Sequence, residues 1–348
     1  MRIVVNDIAA STGGAMTVLR DFYHCVCEND HENQWIFLLA DRYFEETDNV
    51  KIIPMSRIKK SGLRKFVFDH ITGRRFIGNL KPDAVLSLQN IITYGVKAPQ
   101  AVYIHQSIPF QDVKRFSFLK STERKIAVIQ HIIGRIIKRS AKKSDFVLVQ
   151  TRWIKDAICR KCHISPDKIK VVLPAVCIGD VKTTEFTASA FFYPTANQIY
   201  KNNPCLIEAS ALLDREGIKH QVTMTLPAEK SIGSVRCIGR IAYEQVLQYY
   251  SCSTLVFPSY IETFGYPLAE ARQTGAIVLA SDCPFSREVL DGYENAYYFD
   301  PFQPLQLKEL MKQVATGQIT KKPVEAPAEI APDSWLTVMQ TVVDMRKK

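Results

Sequence analysis

Two glutamates eight residues apart, Glu262 and Glu270, lie in the segment Pro258-Ser259-Tyr260-Ile261-Glu262-Thr263-Phe264-Gly265-Tyr266-Pro267-Leu268-Ala269-Glu270. An apolar run ends near Pro258 and Pro267 suits the first position of a helix. Glu262 is therefore expected on a loop at the carboxyl edge of a sheet and Glu270 in the opening helical turn. Open α/β sheets bind ligands at that edge. Carboxylates there can accept hydrogen bonds from ribose or hexose hydroxyls. The amides of Phe264, Gly265 and Tyr266, backed by the positive end of a helix, suit a sugar hydroxyl or a phosphate. The competing reading is a solvated loop followed by a glutamate that merely caps a helix.

Other residues offer narrower chemistry. His105 follows the apolar run Ala101-Val102-Tyr103-Ile104, so its imidazole stands at a strand edge where it can hydrogen-bond a sugar hydroxyl; a structural histidine is the alternative. Cys159-Arg160-Lys161-Cys162-His163 lacks the second ligand pair that tetrahedral zinc requires and reads as structural. No Asp-x-Asp occurs, so a carboxylate pair bridging a metal to a diphosphate has no candidate. The nine cysteines are odd in number and mostly sit in apolar stretches, which argues for reduced, packed thiols.

The elements that must carry these residues read as two α/β series. The first opens with a strand at Arg2–Asn6, a Ser11-Thr12-Gly13-Gly14 turn and a helix through Ala15, Val18, Leu19, Phe22 and Val26. Strands at Trp35–Leu39, Ala84–Leu88, Ala101–His105 and Phe146–Gln150 alternate with helical stretches such as Thr122–Lys143, the order of a parallel sheet. After residue 173 the pattern lapses, and a linker is expected over 174–189. A second series runs from Phe191-Phe192-Tyr193 through a helix near Pro204–Glu216 and strands at Val222–Leu226, Thr254–Pro258, Ala276–Ala280 and Ala296–Phe299. The expected domains are 1–173 and 190–330. An isolated amphipathic helix within 331–348 cannot bury its apolar face alone and is expected to cross back to the first domain.

Length and charge narrow the classes further. The chain has 348 residues, 47% of them hydrophobic, too many and too apolar for one small domain or for disorder. No long uncharged apolar run and no leader-like start appear, so a soluble cytoplasmic protein is expected. Residues 51–170 hold 26 Lys+Arg against 7 Asp+Glu. Such a basic region attracts an anionic bilayer, a phosphorylated substrate or nucleic acid; no aromatic stacking platforms favour the last. Thr122–Lys143 interleaves isoleucines with Arg and Lys, and Ile58–Phe66 adds a second basic patch. The long stretch reads either as an interfacial membrane helix or as a helix packed on the sheet with a solvated basic face.

The segment from Glu262 to Glu270 resembles the Glu-x7-Glu signature of retaining glycosyltransferases of the GT-B fold, specifically family 4, the group 1 type. Gly275–Asp282, Arg287-Glu288-Val289, Lys201-Asn202, Gly13-Gly14 and His105 extend the likeness over nearly the whole chain. The resemblance implies an α/β fold of two Rossmann-like doubly wound domains facing each other across a cleft. It implies that Glu262 contacts the donor sugar, that Glu270 contacts the donor ribose, and that Thr263, Phe264 and Gly265 give backbone contacts. Lys201 would neutralise the diphosphate, stabilising the charge the leaving group gains. Gly13 and Gly14 would let the backbone approach the diphosphate.

Two positions depart from the family pattern. Gln106 stands where an aspartate often follows the histidine, and Thr195-Ala196 stand where an arginine for the diphosphate is usual; Arg240, Arg272 and Arg287 are possible substitutes. Phe192-Tyr193-Pro194 is similar to a subgroup of capsule and O-antigen assembly enzymes. The implied activity is metal-independent hexosyl transfer from a nucleotide-diphosphate donor, UDP- or GDP-linked, with no cofactor. The implied acceptor is a lipid-pyrophosphate-linked saccharide at the inner face of the plasma membrane. An epimerase or phosphorylase of the same fold, or a catalytically silent sugar-nucleotide scaffold, is the alternative.

Overall fold

The computed structural model describes residues 1–11, 14–179, 184–324 and 334–347. The chain divides into two compact units, one drawn from 1–111, 125–174 and 333–348, the other from 112–124 and 175–332. Thus 112–124, inside the span expected to be wholly first-domain, groups with the second unit.

The first unit is built on β1 (Arg2–Asp7), β2 (Gln34–Leu39), β3 (Val50–Pro54), β4 (Ala84–Ser87), β5 (Gln100–Ile104), β6 (Phe146–Val149) and β7 (Ile169–Val171). They form one sheet in the order β3-β2-β1-β4-β5-β6-β7, with every pairing parallel. Parallel sheets are covered on both faces, which is why the central strands are unbroken apolar runs: Val4, Val5, Phe37, Leu38, Val85 and Leu86 are all buried. The helix Gly14–Asn29 lays Val18, Leu19, Phe22 and Val26 on one face of this sheet. The helix Ser334–Val343 packs beside it, with Val338 and Val342 buried and the Trp335 ring 5.8 Å from Phe22 and 5.6 Å from Tyr103. These contacts cover the apolar stripe that the isolated helix could not cover by itself.

The second unit repeats the plan with β8 (Ala190–Tyr193), β9 (Gln221–Met224), β10 (Val235–Cys237), β11 (Thr254–Phe257), β12 (Val278–Ser281) and β13 (Ala296–Phe299), ordered β10-β9-β8-β11-β12-β13 and again parallel. In each sheet the strand order reverses next to the first strand, between β1 and β4 and between β8 and β11. Loops leaving the carboxyl ends diverge there and open a binding crevice.

Several elements differ from the sequence expectation. β3 and β10 escape it because Lys51 and Arg236 interrupt short apolar runs at the sheet edge. The helix expected over Thr122–Lys143 begins at Arg124 and passes through a wider π-helical stretch, Val128–Ile133, before Gly134–Lys143. It buries Ile137 and Ala141 against β5, β6 and neighbouring side chains and turns Arg135, Arg139, Lys142 and Lys143 outward. Ile133 packs partly against the same core, Ile126, Ile129 and Ile136 are half-buried, and Ile132 is 52% exposed. The stretch is thus held on the sheet through Ile137 and Ala141 and carries a basic outer face, with most of its other isoleucines only part-buried.

Candidate active site at the carboxyl edge of the second sheet

The chain leaves β8 at Tyr193 and makes a single tight turn, Ile199–Lys201, before the helix Asn203–Arg215. Asn202 links the two in the left-handed region, at φ 56°, where asparagine is better tolerated than most residues. Its side-chain amide donates to the carbonyls of Pro258, at 3.2 Å, and Pro301, at 2.7 Å. One residue therefore ties together the loops that follow β8, β11 and β13. The Tyr193 hydroxyl donates to the Lys201 carbonyl at 2.8 Å, which fixes the turn from below.

With the backbone held this way, Lys201 Nζ lies 2.6 Å from Glu262 Oε1. The same oxygen accepts from Ser259 Oγ at 2.7 Å, and the Phe257 ring centroid is 5.8 Å from the ammonium. Both partners retain about a fifth of their exposure. The result is a cation and an anion, paired but accessible, at the reversal point between β8 and β11. An incoming phosphate could compete for Lys201 and an incoming hydroxyl for Glu262.

Glu270 sits deeper, 9% exposed, on the helix Tyr266–Gln273. That helix starts one residue earlier than expected, so Pro267 takes its second position and Glu270 lies just past the first turn. Tyr243 Oη donates to Glu270 Oε1 and Tyr250 Oη to Oε2, each at 3.1 Å. Burial pushes the Glu270 carboxyl upward, and the two hydroxyls oppose the shift by favouring the ionised form. Before the helix, Gly265 adopts φ 93°, and its carbonyl accepts from the Leu268 amide at 2.9 Å. Thr263 is half-buried in this loop, and Phe264 is buried.

At the position expected to lack a phosphate cation, a neutral network takes the space. The Thr195 amide donates to Thr225 Oγ1 at 2.7 Å, Thr195 Oγ1 to Asn203 Oδ1 at 2.8 Å, and Asn203 Nδ2 to the Ala196 carbonyl at 2.9 Å. Of the possible substitutes, Arg287 grips Asp282 with two bonds of 2.7 and 2.8 Å and lies 3.7 Å over the Tyr298 ring. Arg272 donates to the Val289 carbonyl at 2.8 Å. Both are committed to structure. Arg240, exposed on the loop after β10, has no ion pair among the described residues.

The remaining predicted residues belong to the first unit. His105 follows β5, and Asn90 reaches it from the loop after β4: Asn90 Oδ1 accepts the amides of His105, at 2.8 Å, and Gln106, at 3.0 Å. That fixes the Asn90 amide so that Nδ2 faces His105 Nε2 at 3.2 Å. Nε2 is then the acceptor and Nδ1 carries the proton. Burial brings the imidazole down to about 4, so it is neutral near pH 7. Gly14 opens the helix Gly14–Asn29 with open space around its Cα; Gly13 lies outside the described residues. At the end of β1, Asp7 is 2% exposed and pushed up to about 7 by burial, with Lys65 and Lys59 opposing.

Cys159 and Cys162 lie near the end of the helix Arg152–Cys162, and all nine cysteines are free thiols. Among the described residues no three His, Cys, Asp or Glu side chains gather as a metal site, and no helix is long and apolar enough to cross a membrane. Sequence reasoning missed Tyr243, Tyr250, Ser259 and Asn90. Only the tyrosines left a signal: seven residues apart, they share a helix face.

Residues 206–330 match the family model described as glycosyl transferases group 1. The O-antigen chain mannosyltransferase RfbU of Salmonella typhimurium is 24% identical over 251 residues, covering 66% of this chain and 68% of RfbU. Among solved structures, WaaG, a glycosyltransferase involved in lipopolysaccharide biosynthesis, superposes with a TM-score of 0.63 at 14% identity, over 90% of each chain. Anabaena HepE in complex with UDP-glucose gives 0.61 at 15% identity, over 100% of this chain and 97% of HepE. TarM is longer: at a TM-score of 0.57 and 14% identity, 79% of this chain is matched to 57% of TarM. Two wholly parallel Rossmann-like sheets that superpose on WaaG and HepE give the chain the GT-B fold, and the match to glycosyl transferases group 1 spans most of the second sheet, at whose reversal point Lys201 and Glu262 meet.

Proposed function

We propose that this protein is a retaining, metal-independent family 4 hexosyltransferase that extends a lipid-pyrophosphate-linked saccharide during synthesis of a bacterial surface polysaccharide, at the cytoplasmic face of the membrane. The observation that carries the reading is the Lys201–Glu262 pair of 2.6 Å, at the strand reversal of the same sheet edge that carries buried Glu270. RfbU's action on the O-antigen chain and WaaG's part in lipopolysaccharide synthesis support the acceptor class, and HepE's complex with UDP-glucose supports a nucleotide-sugar donor.

In this reading Glu270 accepts the donor ribose hydroxyls, Glu262 accepts a hydroxyl of the donor sugar, and Thr263, Phe264 and Gly265 offer backbone contacts. Lys201 moves from Glu262 toward the diphosphate as the bond to the anomeric carbon breaks, and its fixed charge offsets the charge the leaving phosphate gains. The acceptor hydroxyl attacks from the side the phosphate leaves, and that phosphate takes the hydroxyl proton, so no carboxylate nucleophile is needed. His105 is neutral, with Nε2 engaged by Asn90, and so is suited to a hydrogen-bonding role and not to act as a cation. A Cβ at Gly14 would meet nothing within 4 Å, which leaves its backbone open to approach, and Arg240 is the cation best free to approach an anion.

The test is transfer from a panel of UDP- and GDP-hexoses to purified lipid-pyrophosphate oligosaccharide, with the product anomer read by NMR. Transfer above a Glu270→Ala background with the donor's configuration kept is expected. An inverted product overturns the retaining mechanism, and an equally active Glu270→Ala protein overturns the site. EDTA is expected to leave the rate within about twofold; loss restored by added Mg2+ or Mn2+ refutes metal independence.

A further inference from the structure

Glu270 is gripped through both of its oxygens by a single neighbouring helix. Tyr243 and Tyr250 lie two turns apart on the helix Tyr243–Cys252, and their hydroxyls reach Oε1 and Oε2 at 3.1 Å each. Their surroundings differ. Tyr250 is fully buried, with its ring edge-on to Phe192 of β8 at 5.8 Å, whereas Tyr243 is 47% exposed at the rim.

Each carboxylate oxygen has two lone pairs. One tyrosine hydroxyl on each oxygen fixes the plane of the carboxylate and leaves one acceptor site per oxygen, side by side. That is the pattern a vicinal diol meets with two hydroxyl donors, and a lone hydroxyl uses half of it. A buried carboxylate with no such clamp could rotate or take up a proton; two neutral donors hinder both without a competing positive charge.

Resting on the placement of Glu270 at the donor ribose, we propose that Tyr243 and Tyr250 are positioning residues that orient Glu270 for the ribose cis-diol and so set the preference for ribonucleotide over deoxyribonucleotide donors. Neither tyrosine needs to touch the reacting atoms. Their effect falls on donor binding.

Calorimetry with UDP, GDP and their 2′-deoxy forms tests this on the full chain. For whichever nucleotide binds more tightly, the wild type is expected to favour the ribose form by about tenfold, the value of a hydrogen bond to a charged acceptor. Tyr243→Phe and Tyr250→Phe are each expected to weaken the ribose form by about five- to tenfold while leaving the 2′-deoxy form within about twofold, so that the preference collapses. In turnover the same variants should raise the donor KM and leave kcat nearly unchanged. A general loosening of the fold would weaken both nucleotides alike.

If both variants keep the full preference while Glu270→Ala abolishes it, the tyrosine clamp is wrong and the ribose reading stands. If the wild type shows no preference, the ribose reading fails and the clamp fails with it. Should Tyr250→Phe not fold, Tyr243→Phe at the exposed rim decides the matter alone.

Discussion

Lys201 illustrates how a single side chain can be stable in one role and available for another. Its ammonium is satisfied by Glu262, yet the pair keeps about a fifth of its exposure, so exchange of one anion for another leaves neither charge stranded in the interior. Lys201→Ala is expected to slow transfer by at least about tenfold, or about 1.4 kcal/mol, with an unfolding midpoint close to wild type; near wild-type turnover would remove Lys201 from the site. Asp7 gives the residue scale a pH signature. Its carboxyl is raised from 3.8 to about 7, so the folded state holds the proton more tightly than the unfolded chain does. The contribution is present below pH 4 and lost as pH rises to about 7, at most about 4 kcal/mol. Asp7→Asn should therefore gain stability relative to wild type between pH 5 and pH 8 in parallel urea titrations, and a pH-independent difference would show that Asp7 does not titrate in this range.

At the scale of elements, the helix Tyr266–Gln273 depends on how it begins. Gly265 stands at φ 93°, and a Cβ there would lie 3.2 Å from Leu268 Cδ1, so any other residue meets backbone strain and a tight contact together. Gly265→Ala is expected to cost about 1–2 kcal/mol in urea unfolding and to weaken nucleotide binding with it, because the loop that aims Glu262 would shift. A stability within about 0.3 kcal/mol of wild type would mean the turn relaxes freely. The same scale explains Glu270: its two tyrosine partners come from one helix, so a small rotation of that helix would move both bonds at once.

Over the whole molecule, charge is segregated: 26 of the 45 Lys and Arg residues fall in 51–170, against 7 acidic residues there. Each cation near an anionic bilayer contributes roughly 1 kcal/mol, decaying within a Debye length. Binding to anionic vesicles at low salt, its release by salt and little binding to neutral vesicles are the expected results in sedimentation. Charge reversal at Arg135, Lys142 and Lys143, all exposed, should weaken it; Lys138 and Arg139, 5.9 Å and 5.3 Å from the ring centroids of Phe110 and Tyr94, are better left in place. Beside Ile132 on the 124–143 helix, Leu63 and Ile71, 72% and 55% exposed, are the side chains available for apolar insertion. Leu63→Ser should lower the binding that survives high salt, and unchanged binding after all these substitutions would refute docking through this face.

The sequence by itself determined the class of fold, since alternating apolar runs and helical stretches admit little besides parallel sheets, and it placed Glu262 and Glu270 across a strand-to-helix turn at a sheet edge, whereas Lys201 was marked by the family resemblance alone. Tertiary structure alone decided that Lys201 meets Glu262 across 61 positions, that Asn202 joins three loops, and that Asn90 sets the tautomer of His105. These contacts follow from which strands become neighbours, and β8 comes to lie beside β11 only when the sheet forms. Local periodicity also could not say which face of the 124–143 helix turns inward or that Thr195 and Asn203 close a neutral network at the position where the family pattern usually has an arginine. Those outcomes depend on side chains that arrive from distant strands, and no spacing along the chain records them.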